Sequence, residues 1–199
     1  LPDYDVFYDK RHFLMGEETK VWDYKGQKIC FLVCEDAWMS DTFLALDRYY
    51  KYTPINVVKA HNASVVINVS ASPFEVSKRE RRLALFQEHV RAIGVPYIFT
   101  NQVGANDELI YDGQSMVLDG NGTLVHLFPA FQESVQTIDL SQEQTVLEGL
   151  VSNDIKDIHD ALVLGIQDYL RKSGFKTVLI GLSGGIDSAV TAALAVRAL

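Results

Sequence analysis

Three short apolar runs, residues 28–33, 64–69 and 96–100, constrain this chain more than any other feature. Each is too brief for a stable helix and reads as a strand. Turn chemistry brackets the first two: Tyr24-Lys25-Gly26-Gln27 opens one, and Ser70-Ala71-Ser72-Pro73 closes the other. Helical patterns fill the gaps. Residues 55–62 suit a short helix, and residues 77–93 place Leu83, Leu85, Phe86, Val90 and Ile93 on one helical face. Strands separated by helices put the chain in the α/β class. The longer helix carries Lys78, Arg79, Arg81 and Arg82 on its first turns, where the positive end of the helix dipole repels cations.

Residues 101–113 read as a polar loop rich in Gly, Asn and Asp. Residues 115–118 and 123–127 form a hairpin pattern around the turn Asp119-Gly120-Asn121-Gly122, and a last strand is expected near residues 135–139. The polar run 141–148 marks a domain boundary near residue 145, dividing residues 1–145 from residues 146–199. Beyond it, Ser152-Asn153-Asp154 caps a helix with the apolar set Ile155, Ile158, Leu162, Ile166 and Leu170, closed by Ser173-Gly174-Phe175. A strand at residues 177–181, a glycine turn and a helix from about Asp187 follow, the opening of a second, parallel α/β sheet. Both termini read as cut, because the chain starts at Leu1 without Met and stops at Leu199 inside an apolar helix. The expectation is a fragment that is itself inert.

The formal net charge of −8 repels nucleic acid and anionic lipid, so phosphate binding has to be a local property of one loop. No apolar run approaches the roughly 20 residues a bilayer helix needs, and the amino terminus lacks the order of a signal peptide. A cytoplasmic protein is expected. Cys30 and Cys34, the only cysteines, match neither a disulfide framework nor a zinc site, which suits a reducing compartment.

That loop is Gly181-Leu182-Ser183-Gly184-Gly185-Ile186-Asp187-Ser188. A strand feeding a glycine turn into a helix amino terminus offers free backbone N–H groups and the positive dipole end to an anion. Gly184 and Gly185 allow close approach, Ser183 and Ser188 add hydroxyls, and Asp187 either orients Mg²⁺ or caps the turn. The spacing fits neither the Walker pattern nor the dinucleotide fingerprint. The string Ser183-Gly184-Gly185-Ile186-Asp187-Ser188 resembles the loop of the ATP pyrophosphatases, which cleave ATP between its α and β phosphates to adenylate a substrate.

Cys34 directly follows a strand, where a sharp turn can expose a nucleophile, although a cysteine there is more often core. Cys30, inside the strand without polar company, is assigned to packing. The string Val33-Cys34-Glu35-Asp36-Ala37-Trp38 resembles the nucleophile segment of the nitrilase superfamily, which hydrolyses amides with a Cys-Lys-Glu triad. Asn68-Val69-Ser70-Ala71-Ser72-Pro73-Phe74 with Lys78-Arg79-Glu80 is similar to the segment lining its substrate pocket. A third match runs from Asn101-Gln102-Val103-Gly104 through Asp107-Glu108-Leu109-Ile110-Tyr111-Asp112-Gly113-Gln114-Ser115. In such a triad lysine stabilises thiolate and oxyanion, and the carboxylate moves a proton from the thiol to departing ammonia. The resemblance places that lysine in a Lys-x-x-Leu-Pro-x-Tyr segment whose Leu is Leu1, so both it and the glutamate fall outside these residues.

A nitrilase-like segment followed by this loop resembles the glutamine-dependent NAD synthetases. The resemblance implies a nitrilase-like α-β-β-α sandwich followed by the start of a Rossmann-like parallel α/β ATP-pyrophosphatase domain. Glutamine would be hydrolysed through a Cys34 thioester, and ammonia would pass to deamido-NAD adenylated by ATP. ATP with Mg²⁺ would enter as a substrate complex, with no permanently bound cofactor, and the family implies a homo-oligomer. Position by position, Tyr4, Ser72 and Lys78 match glutamine-holding residues, with Lys78 otherwise a solvated helix charge. Asp9 stands where the family often has Glu, and Glu35 either orients glutamine or forms a salt bridge. The alternative is a free-standing amidase fused to a nucleotide-sensing module.

Overall fold

The computed structural model describes residues 7–14, 16, 18–38, 54–141 and 153–199. Its centre is a six-stranded mixed sheet. Strands β1 (Val21–Tyr24) and β2 (Gln27–Val33) form an antiparallel hairpin. The two residues between them, Lys25 and Gly26, both adopt positive φ (51° and 78°), the backbone that matches strand twist in a two-residue turn. Strands β3 (Val65–Ser70) and β4 (Tyr97–Asn101) continue the sheet in parallel with β2. Strands β7 (Met116–Leu118) and β8 (Leu124–Leu127) then close it antiparallel, around a turn where the Asp119 carboxylate accepts the N–H groups of Asn121 and Thr123.

Helices α1 (Ile55–Ala60) and α2 (Lys78–Ile93) cover one face of the sheet, as the alternation of strand and helix predicts. Cys30 and Leu32 of β2 point into that core while Phe31 and Val33 are 40% and 65% exposed. The period-two pleat therefore divides a run that is apolar throughout. Phe86 of α2 stacks on Tyr97 and tilts against Phe99, ring centroids 4.9 and 4.8 Å apart. Cys30 is fully buried in this core, as its packing role requires.

Residues 101–113 are not a loop. They fold as a second, two-stranded antiparallel sheet, β5 (Val103–Asn106) with β6 (Leu109–Asp112). Four-residue strands carrying Asn and Asp lack any legible alternation, and the ladder exists because its edges find partners elsewhere. Two expected strands are absent. Around residues 135–139 there is no ladder and Val135 is wholly exposed, and residues 177–181 likewise lack a ladder, with Leu179 99% exposed. A β-propensity becomes a strand only beside a hydrogen-bonding neighbour, and none is present for either run among the described residues.

Helix α3 (Asp154–Ser173) starts where Asn153 Oδ1 accepts the Lys156 N–H, and ends at Gly174 with φ 75°. It rests on the β5–β6 hairpin through Gly165, which lies against Ile110, and through Asp168 and Lys172, which bond to Ala105, while Ile155 of its apolar stripe is 78% exposed. Helix α4 (Ile186–Ala198) packs beside it. The boundary expected near residue 145 lies outside the described residues. No described helix is long and apolar enough to cross a membrane.

One buried histidine makes the core pH-sensitive. His89 on α2 is 2% exposed, with Nε2 2.6 Å from the Ala37 carbonyl, which requires an N–H there. Burial holds its pKa below the ordinary 6.5, against smaller upward contributions from the Ala37 hydrogen bond and Glu88. The unfolded chain therefore binds a proton at a pH where the folded chain does not, and stability is lost as pH falls through 6.5 towards the lower folded value. The unfolding midpoint is expected to drop between about pH 7 and about pH 5.5, and His89→Gln is expected to flatten that slope. Parallel pH profiles for the two proteins would show no such effect.

Candidate active site

Cys34 leaves the end of β2 with φ 42° and opens a 3-10 turn, Cys34–Ala37. A side chain in this left-handed region costs about 1–2 kcal/mol, so the surroundings must enforce it. They do so through three contacts. The Val33 N–H donates to Asp36 Oδ2 at 2.9 Å, the Trp38 N–H to the Glu35 carbonyl at 2.9 Å, and His89 holds the Ala37 carbonyl. The bend lifts Cys34 out of the core to partial exposure.

The parallel register pairs Val33 with Val69, which brings the end of β3 alongside the thiol. Burial pushes the Cys34 thiol above its ordinary value and the Glu35 charge adds to this. Hydrogen bonding from the Ala71 backbone and the Ser70 side chain, with the charge of Lys78, works the other way without prevailing. Ser70 has one proton to offer and also lies 2.7 Å from Asn68 Oδ1, so it serves the sulphur only by releasing that bond. Tyr111 on β6 stands close enough to Cys34 that, after burial, the cysteine's charge is what raises its phenol.

Lys78 is not a solvated helix charge. Its side chain is 13% exposed, donates to Glu75 Oε1 at 2.7 Å and sits 5.8 Å above the Trp38 ring. Ser72 is 2% exposed; its hydroxyl accepts from Arg82 at 3.2 Å, and its N–H donates to Asn101 Oδ1 at 2.8 Å. Tyr4 lies outside the described residues. Asp9 opens a short 3-10 turn and caps it with its carbonyl, which accepts the N–H groups of His12 and Phe13.

Four residues of the cluster were not singled out from sequence as a set: Arg82, Asp112, Asn101 and Glu75. Arg82 is fully buried; its Nη1 reaches both oxygens of Asp112 (2.9 and 2.8 Å), and Nη2 donates to the carbonyls of Ser72 and Pro73. Asn101 Nδ2 donates to Ser72 O and Asp112 Oδ1. Glu75 binds both Lys78 and Arg81. The signal that points to them is the basic run at the helix start. Four cations facing the wrong end of a dipole require acidic partners, here Glu75, Glu80, Asp112 and Asp157. A cavity of about 280 Å³ opens behind this cluster, against Asn101, Gln114, Ser115 and Phe128, and does not touch Cys34.

The glycine loop leads directly into the amino terminus of α4. Gly184 takes φ 86°, Gly185 is the extended residue before the helix, and the Ser183 and Ser188 hydroxyls lie 3.2 Å apart. Gly181, Leu182, Ser183, Gly184, Gly185, Ile186 and Asp187 are exposed and Ser188 is half-buried. Asp187 stands in the first turn of α4, and Gly185 occupies the cap position. Among the described residues no cluster of His, Cys, Asp and Glu suits a metal ion.

Cys34 thus stands at the carboxyl end of a parallel strand, within reach of the Ala71 backbone and of the charge of Lys78, and the match over residues 2–147 shows that the chain belongs to the carbon-nitrogen hydrolase family. Residues 158–199 match the NAD synthase family. Over its whole length the chain is 38% identical to a glutamine-dependent NAD(+) synthetase of Synechocystis sp. and 34% identical to one of Acinetobacter baylyi, spanning 36% and 35% of their lengths. The solved glutamine-dependent NAD+ synthetase of Acinetobacter baumannii, in complex with ADP, superposes on the whole chain with a TM-score of 0.85 at 33% identity, the chain covering 36% of it. The chain thus spans little more than a third of the length of these relatives.

In the 199-residue chain, alkylation of Cys34 by iodoacetamide is expected to reach half its maximal rate above pH 9.0, and Lys78→Met is expected to move that point higher. A midpoint below the ordinary thiol value would contradict the electrostatics described above.

Proposed function

We propose that this chain supplies the nucleophile half of a glutaminase and the ATP loop of an NAD synthetase within a longer polypeptide, residues 1–145 serving the first and residues 146–199 the second. A carboxylate elsewhere in the polypeptide takes the Cys34 proton, the thiolate attacks the glutamine amide carbon, and that proton passes to the departing ammonia as the C–N bond breaks. Water then cleaves the thioester to glutamate. Ammonia attacks the adenylated carboxylate of deamido-NAD, formed from ATP with loss of pyrophosphate, and AMP departs as NAD forms.

The observation that carries this reading is the strained Cys34 elbow, joined in one chain to a glycine loop at a helix amino terminus. Within the described residues the thiol is raised rather than activated, which fits a triad completed by a lysine and a carboxylate from elsewhere in the polypeptide. Lys78 and Tyr4 are assigned to glutamine. Ser72 is assigned to glutamine with them, since its hydroxyl accepts one bond from Arg82 and keeps its own proton and a second lone pair for a ligand. Gly181, Leu182, Ser183, Gly184, Gly185, Ile186, Asp187 and Ser188 are assigned to ATP, with Asp187 a candidate for Mg²⁺. The intact enzyme is assigned to the cytoplasm as a homo-oligomer.

The test uses the full-length polypeptide that contains this chain, given glutamine, ATP, Mg²⁺ and deamido-NAD. NAD and AMP are expected, with Cys34→Ala abolishing synthesis from glutamine but not from added ammonia. Release of glutamate and ammonia alone would instead support an amidase fused to a nucleotide sensor. Gly184→Ala forces a Cβ into a backbone at φ 86° and is expected to lower synthesis from both nitrogen sources by roughly tenfold, through about 1–2 kcal/mol of strain.

A further inference from the structure

The β5–β6 hairpin stands between Cys34 and helix α3, and it is held on both edges. Ala105 and Ile110 face each other across the hairpin, yet each turns a backbone group outward. The Ile110 carbonyl accepts the Phe74 N–H at 2.7 Å, in the segment that follows Ala71 and Ser72. The Ala105 N–H donates to Asp168 Oδ2 on α3 at 2.8 Å, and Lys172 Nζ donates to the Ala105 carbonyl. On the Cys34 side the same hairpin carries Tyr111, and Asp112 with its bond to Arg82.

The fit between helix and hairpin is close and polar. Gly104 has φ 131°, and a Cβ there would lie 2.9 Å from Asp168 Oδ2; a Cβ already 3.3 Å from Ile110 Cδ1 would result from substituting Gly165. Asp168 is 5% exposed, with Arg171 at 2.8 Å and Lys172 at 3.4 Å to balance its charge. Simple adhesion would be served as well by an apolar pair, because a buried ion is costly to desolvate. A carboxylate aimed at one backbone N–H instead selects one register of helix against strand.

We propose that Asp168 is a positioning residue for the chemistry at Cys34: helix α3, in the segment that matches NAD synthase, holds the hairpin so that Tyr111 and the segment 70–74 close correctly around the thiol. This rests on reading Cys34 as the amidase nucleophile. Asp168 touches neither the thiol nor substrate and acts through Ala105 and Ile110.

The experiment compares wild type, Asp168→Ala, Asp168→Asn and Gly104→Ala in the full-length polypeptide. Glutaminase kcat and KM, ammonia-dependent NAD synthesis and the pH profile of Cys34 alkylation are the readouts. Asp168→Ala and Gly104→Ala are expected to lower glutaminase kcat by at least about fivefold and to shift the alkylation profile, leaving ammonia-dependent synthesis within about twofold of wild type. Asp168→Asn keeps an acceptor for the Ala105 N–H and is expected to recover most of the loss. Unchanged kcat and alkylation in Asp168→Ala overturn the proposal, as do equal losses with both nitrogen sources, or Asn behaving like Ala. If wild type shows no Cys34-dependent glutaminase, the amidase reading itself has failed, and an alkylation profile unmoved by Asp168→Ala then also rejects the positioning contact.

Discussion

The buried guanidinium of Arg82 gathers the site. From one position on α2 it reaches Asp112 at the end of β6 and the carbonyls of Ser72 and Pro73 beyond β3, with the Phe99 ring 5.7 Å away. Three segments far apart in sequence converge on one cation that has no exposure to water. Such a pair adds little net stability over apolar packing, but removing one partner leaves a buried charge uncompensated, at about 3–5 kcal/mol. The geometry is therefore all or nothing, and the backbone beside Cys34 inherits its definition.

Cys34 depends on that definition because its own position is strained. A left-handed cysteine persists only where its neighbours over-determine it, here Asp36, His89 and the register of β2 with β3. The same enclosure desolvates the thiol and raises it, outweighing the hydrogen bonds and the Lys78 charge that favour the thiolate. Lys78 is the described cation that favours the thiolate, and its charge is shared with Glu75.

Much of the fold was legible from local pattern. Strands β2, β3 and β4, helices α1 and α2 and the β7–β8 hairpin follow from short apolar runs, helical spacing and turn chemistry, and each is present close to its expected bounds. The ends of α3 were equally plain, capped within Ser152-Asn153-Asp154 and closed within Ser173-Gly174-Phe175, where the structure singles out Asn153 and Gly174. The β5–β6 hairpin was not, since its strands are short and polar and hold together through Phe74 on one edge and α3 on the other. The strands expected near residues 135–139 and 177–181 failed for the converse reason: apolar propensity was there, but no described neighbour supplies a ladder.

The candidate site divides in the same way. Sequence alone determined the local setting of the candidate elements that lie within a few consecutive residues: the cysteine after a strand, and the glycine loop before a helix. Those depend on backbone geometry that neighbouring residues dictate. Only the tertiary structure decided that Arg82 is a buried clamp, that Ser72 accepts from it, and that Asp168 reaches across to Ala105. These contacts join residues 10 to 63 positions apart, and a lone Arg or Asp in a charged run looks the same whether water or a carboxylate meets it.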